Sequence, residues 1–273
     1  MFDLYQAITD RIISEMENGV IPWQKPWVAA GCCVSHTTGK AYSLLNQMLL
    51  GRAGEYLTYN EAMKEGGHIR KGEKGHMIVF WKFVKQTDEE TGKEKDVPFL
   101  RYYTVFHIDQ CEGISPKYTD HMPASADPDE TADAIITDYV KRSGVTITHS
   151  EGDAAFYQPS TDRIVVPMRE QFKDTAELYS TIFHEMTHST GHATRLNRLA
   201  STAFFGTADY SKEELVAEIG AAALVHHVGL ETAKSFRNST AYVQNWLSVL
   251  KDDKRFIVSA AGKAEKAVAF ILG

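Results

Sequence analysis

The amino-acid sequence predicts an α+β fold in two domains, and three observations carry that expectation. At 273 residues the chain is longer than a typical single domain. A stretch rich in Pro, Ser, Asp and Gly, with no apolar period, runs from Glu112 to Glu130 and divides it. Before that stretch, short helical patterns accompany one long β-like pair. After it, two short β-like runs lead into helical patterns that continue nearly to the end. The expected bounds are 1–111 for an N-terminal α+β domain with an antiparallel hairpin, 112–130 for a linker, and 131–273 for a domain of a small sheet with several helices.

Leu4, Ala7, Ile8, Ile12 and Ile13 recur at helical spacing, so Asp3 to Asn18 is expected as a helix stopped by Gly19. Ile21 to Trp27 carries Pro22, Trp23, Pro26 and Trp27, which neither a helix nor a central strand tolerates. Ser43 to Leu50 reads as a helix. Thr58 with Glu61 has the capping-box spacing and opens another, which Gly66-Gly67 stops. His76 to Lys85 and Phe99 to Ile108 are rich in β-branched and aromatic residues, with polar Asp88 to Gly92 between them, the pattern of a hairpin. Beyond the linker, a helix from Thr131 ends at Gly144. Val145 to Thr148 and Arg163 to Val166 are β-like, and Arg163 to Val166 is the candidate edge strand for an extended substrate. Helical pattern then runs on from Asp174, with breaks near Gly191, Phe205-Gly206 and Gly229.

Composition excludes several classes. No run approaches the ~18 apolar residues of a membrane helix, and Met1 to Gln6 lacks the basic-then-apolar order of a signal peptide. Cys32, Cys33 and Cys111 are an odd count with no CxxC pair, which fits a reducing, cytoplasmic compartment. A net charge of −7 argues against a general polyanion binder. Residues 1–120 hold 14 Lys and Arg against 16 Asp and Glu, a balance of −2, which leaves −5 for the remainder.

The chemistry concentrates in His184-Glu185-Met186-Thr187-His188. Asp174 and Glu177 cap a helix that reaches Thr190, so His184 and His188 stand one turn apart on one face and can grip a single ion. Glu185 is placed to reach a water on that ion as general base. This is the HExxH arrangement of zinc peptidases. The competing structural reading is two histidines and a glutamate on an exposed helix face. For the third ligand, Gly191 ends the helix before His192, and Thr194 stands where a metzincin would need histidine. A helix opening at Ser211 places Glu214 and Glu218 on one face, a ligand followed by an acid that hydrogen-bonds a ligand imidazole. A Ser211–Glu214 capping box accounts for Glu214 as well, but leaves Glu218 unexplained.

Pro22 to Trp27, Lys71-Gly72-Glu73-Lys74-Gly75, the HExxH continued by Ser189-Thr190-Gly191-His192, and Glu213 to Ala221 together resemble the ArdC-type antirestriction proteins of mobile elements, in that family's order over nearly the whole chain. The resemblance implies an N-terminal domain that binds single-stranded DNA and a C-terminal zincin-like metallopeptidase domain using Zn2+, with a protein as substrate. The first part is also similar to regions of plasmid-encoded primases. The Glu-x-x-x-Glu spacing resembles gluzincins, whose third ligand is the first acid, here Glu214. The acidic overall charge departs from a strong DNA binder. Single strands are held by aromatic platforms beside cations, and Trp23, Trp27, Tyr42, Trp81, Phe83, Tyr102 and Tyr103 interleave with Lys25, Arg70, Lys71, Lys74 and Lys82. Trp23, Lys25, Trp27, Tyr42, Arg70, Lys71, Lys74 and Trp81 are the candidate DNA-binding residues; a core role is the alternative for the aromatics. The rival function is a DNA-binding antirestriction protein whose metal site is structural or non-proteolytic.

Overall fold

A computed structural model describes residues 3–24, 32–87, 94–118, 127–199, 208–230 and 240–273, without the side chains of 81–87, 94–99, 208–210 and 240–242. Lys25 and Trp27 therefore lie outside the described residues, as does the side chain of Trp81.

Helix α1 (Leu4–Glu17) starts where Asp3 accepts the Gln6 amide and buries Ile8, Ile12 and Met16, its i, i+4 stripe. A four-stranded sheet follows, in the order β1 (Cys33–Ser35), β2 (Gly54–Leu57), β5 (Glu94–His107), β4 (His76–Thr87). Strands β4 and β5 form the expected hairpin, antiparallel and in register from His76 opposite Val105 to Thr87 opposite Glu94. Helix α2 (Leu44–Leu50), capped by Ser43, is buried from Leu45 onward and docks through its amides. Asn46 bonds both the N–H and the carbonyl of Val79, and Gln47 does the same with Cys33, all at 2.8–2.9 Å. Helix α3 (Tyr59–Lys64) has the full Thr58/Glu61 capping box. Two residues each of β3 (His68–Ile69) and β6 (Cys111–Glu112) pair beside it. Glu55 then receives the amides of Lys117 and Tyr118, so the chain entering the expected linker is fastened to the first sheet.

The second half begins with α4 (Pro128–Ser143), capped by Asp127 and ended by Gly144 in the left-handed region. Strands β7 (Thr146–Ser150), β9 (Arg163–Pro167) and β8 (Phe156–Gln158) form a sheet in that order. The expectation for Arg163 to Val166 is thereby corrected: β9 is central, parallel to β7 and antiparallel to β8, and has no free edge for a substrate. Helices α5 (Thr175–Ser189), α6 (Ala208–His227), α7 (Thr240–Asp252) and α8 (Phe256–Leu272) complete the chain. No helix among the described residues is long and apolar enough to cross a membrane.

One apolar core joins the two halves. It gathers Ile8 and Ile12 of α1, Trp23, Met48 and Leu49 of α2 and Val79 of β4 with Leu215, Val216 and Ile219 of α6, Trp246 of α7 and Phe256 and Ile257 of α8. A second core packs α5 and the other face of α6 (Ala221, Leu224, Val225) on α4 and β9. Helix α6 thus buries apolar residues on two faces because both are covered.

Candidate metal centre

Helices α5 and α6 pack so tightly that a Cβ at Gly220 would lie 2.7 Å from Thr187 Cγ2. That close approach brings the second turn of α6 against the HExxH turn of α5. Helix α6 starts at Ala208, three residues before the expected Ser211, so Ser211 lies inside it and accepts a hydrogen bond from Asn245. The capping-box explanation of Glu214 is removed, and Glu214 points into the site.

Donor atoms of three residues converge. His184 Nε2 lies 3.1 Å from His188 Nε2, Glu214 Oε2 3.6 Å from His184 Nε2, and Glu214 Oε1 3.3 Å from His188 Nε2. Metal bonds of ~2.0–2.1 Å in a tetrahedron require edges of roughly 3.3–3.4 Å, which these separations bracket. His184, His188 and Glu214 are the only group among the described residues with the donors of a metal site. The far nitrogens are governed as well. Glu218 Oε1 stands 3.4 Å from His184 Nδ1 and Glu213 Oε1 3.6 Å from His188 Nδ1. These contacts, longer than a full hydrogen bond, favour the proton on each Nδ1 and turn both Nε2 lone pairs toward Glu214 and each other. Such an arrangement calls for a cation. The donor set of imidazoles and a carboxylate suits a zinc-type divalent ion.

Electrostatics agree. Glu214, Glu218 and Glu185 act on His184, and Glu213 and Glu214 on His188, while the guanidinium of Arg198 pairs with Glu213. Burial works against a protonated His188, but Glu213 and Glu214 outweigh it and hold its pKa up to about 9. For His184, burial is likewise outweighed by Glu214, Glu218 and Glu185, which hold it well above its ordinary value. Burial pushes Glu214 up, yet the hydrogen bonds from the two imidazoles keep it far below the usual carboxylate range. Protons therefore compete with the ion. Below about 9 a metal must displace the His188 proton, so its apparent affinity should rise by about tenfold or more per pH unit as the pH climbs toward 9. The sign for stability is opposite. A raised imidazole pKa stabilises the ion-free fold below about 6.5, and that contribution fades as pH climbs through 9. Chelator competition from pH 6 to 10 checks the first expectation; a flat profile contradicts it.

Sequence reasoning brought together His184, Glu185, His188, Glu214 and Glu218 and missed Glu213, which lies about 100° round the helix from Glu214. Glu185 is 4 % exposed and close enough to act on the charge of His184.

The described DNA candidates stand in different places. Trp23 is fully buried against Trp246, ring centroids 5.6 Å apart, so its expected stacking role is corrected to a core role. Arg70, Lys71 and Lys74 are exposed on the β3–β4 turn, Arg70 paired with Glu73. Tyr42 lines a cleft of about 900 Å³ on the first sheet. Ile78 and Val105 floor it, and Phe80, Arg101, Tyr103 and Lys40 stand around it, with Phe80 and Tyr103 edge to face at 5.5 Å. The signal for Phe80 was in the alternation: it shares a strand face with Ile78 and, across the pair, with Arg101 and Tyr103.

A family model described as a zincin-like metallopeptidase matches residues 131–263, and one described as the N-terminal domain of anti-restriction factor ArdC matches 2–106. The chain is 36% and 34% identical to two DNA primase TraC proteins of Escherichia coli over 98% of its own length. It spans only 27% and 20% of those primases. Protein y4eC of Sinorhizobium fredii is 30% identical over 97% of the chain and 90% of that protein. Crystal structures of the antirestriction protein ArdC from plasmid R388 are similar throughout. The metal-free form is 39% identical with a TM-score of 0.80, and the Mn(II)-bound form 38% with 0.81, each covering 99% of this chain and 97% of the other.

Proposed function

The chain belongs to the ArdC family of antirestriction proteins, and from that premise we propose that it hydrolyses peptide bonds in proteins gathered on single-stranded DNA. One observation carries the peptidase reading: donors of His184, His188 and Glu214 converge at 3.1–3.6 Å, with buried Glu185 beside the first ligand. Bound there, a zinc-type ion would polarise the scissile carbonyl and acidify its water toward neutrality. Glu185 takes the proton of the attacking water on its carboxylate and passes it to the leaving amine. His184, His188 and Glu214 would hold the ion, while Glu218 and Glu213 would fix the imidazoles. An extended substrate would pair with β8, which has only β9 as a strand partner among the described residues and packs on α5.

For the DNA, the cleft combines ring faces with cations. Tyr42, Phe80 and Tyr103 offer stacking surfaces, Lys40 and Arg101 stand beside them, and Arg70, Lys71 and Lys74 are proposed to track the backbone from the β3–β4 turn. Relatives bearing the name DNA primase support a nucleic-acid partner. Binding both the strand and its proteins on one molecule would raise the local concentration of substrate. The test mixes full chain, a single strand and strand-binding proteins, with and without chelator, at two salt concentrations. Cleavage should require the metal. Strand affinity should fall steeply with salt, and Tyr103→Ala should cost it about 1–3 kcal/mol. Cleavage that survives chelation, or strand binding indifferent to salt, would refute the corresponding half.

A further inference from the structure

The two imidazoles of the centre are each backed by a carboxylate, but the two carboxylates are held differently. Glu218 approaches His184 with one oxygen, and its other oxygen is buried without a hydrogen-bond partner among the described residues. Glu213, against His188, is gripped at both oxygens by Arg198: Nη2 donates to Oε1 at 2.7 Å and Nε to Oε2 at 3.3 Å. The oxygen nearest His188 is the one that takes the shorter bond.

Arg198 does more than pair with Glu213. Its Nη1 donates to Thr190 Oγ1 at 2.7 Å and its Nη2 to the Thr187 carbonyl at 2.8 Å, both at the C-terminal end of α5. One guanidinium, only 7 % exposed, therefore bridges the two helices that carry the ligands. The chain after α5 is folded to deliver it. Residues 190–199 turn back on the helix end, with the Leu196 amide on the Thr190 carbonyl and the Arg198 and Leu199 amides on the Gly191 carbonyl. A Cβ at Gly191 would meet Leu199 Cγ at 2.8 Å and the His188 carbonyl at 3.0 Å, so the fold-back needs glycine there.

We propose that Arg198 is a positioning residue of the metal centre. Its planar fork sets the Glu213 carboxylate, Glu213 sets the His188 imidazole, and the same guanidinium fastens α5 to α6 at the ligand spacing. The inference rests on the ion being held by His184, His188 and Glu214. Charge alone would not suffice, since lysine matches the charge but cannot supply four donations in one plane from a fixed fork.

The experiment is Co(II) titration of the full chain against a competing chelator, with the visible absorption of the bound Co(II) recorded, for the unaltered protein, Arg198→Lys, Arg198→Ala and Glu213→Gln. Arg198→Lys should weaken Co(II) binding about 10–100-fold and change its absorption bands. Glu213→Gln, which retains an acceptor for His188 Nδ1, should fall between it and the unaltered protein. Should Arg198→Ala fail to fold, the other two variants still decide. Unaltered affinity and bands in Arg198→Lys would overturn the proposal, whatever happens to the melting temperature of the ion-free protein. Failure of the unaltered protein to bind Co(II) would overturn the metal reading itself, and the role of Arg198 with it.

Discussion

Glu185→Gln is expected to lower peptide hydrolysis by about 10²–10⁴-fold, the usual contribution of a positioned acid–base group, while the protein keeps its metal. The two halves of that expectation come from different observations. Glu185 is not one of the three converging donors, so its amide should leave the ion in place. Glutamine fills the same buried space but cannot take a proton from water at neutral pH. Its loss also removes one negative charge that raises the pKa of His184, which makes proton competition with the metal slightly weaker rather than stronger. Metal analysis and a peptide-cleavage assay on the same preparation decide the matter. A variant that retains the ion and cuts at the original rate would exclude Glu185 as the base. A variant that cuts nothing yet protects DNA from restriction in full would separate antirestriction from proteolysis.

What the sequence disclosed and what it withheld divides by range. Thr58 and Asp174 cap their helices, and Gly144 ends its helix in the left-handed region, all through interactions within a few residues; α4, capped by Asp127, starts three residues before the expected Thr131. The pairing of His184 with His188 is equally local, one helical turn. The third ligand was harder. Ser211 looked like a cap because the sequence alone does not say that α6 begins at Ala208, and that start distinguishes a capping Glu214 from a ligand. Glu213 was passed over because helical-face reasoning follows one stripe of one helix. In the packed pair, His184 meets Glu218 and His188 meets Glu213, a consequence of how α5 crosses α6 at Thr187 and Gly220. Strands β1, β2, β3, β6 and β8 have two to four residues each, too few for alternation to register. Missing β8 is also why β9 was read as an edge.

Trp23→Ala is expected to cost about 3–5 kcal/mol of stability, with probes in both halves of the chain reporting a single unfolding transition. A stacking platform would behave otherwise: strand affinity would drop and stability would hold. The structure favours the first outcome. The indole is wholly buried, edge to face with Trp246 of α7, in a core that reaches from Ile8 and Ile12 of α1 to Phe256 and Ile257 of α8. Leu215 and Val216, members of that core, directly follow the ligand Glu214 in the chain, and Ile219 directly follows Glu218. Melting the core therefore unfastens the stretch of α6 that faces the metal, so the visible bands of bound Co(II) should vanish in the same denaturant range as the far-ultraviolet helix signal. The family models divide the chain between residues 106 and 131, whereas the apolar packing does not divide there. Denaturant titration of Trp23→Ala, followed by both signals, decides between the two divisions. Two separated transitions, or unchanged stability with a weakened grip on single strands, would restore Trp23 to the DNA surface and make the halves independent.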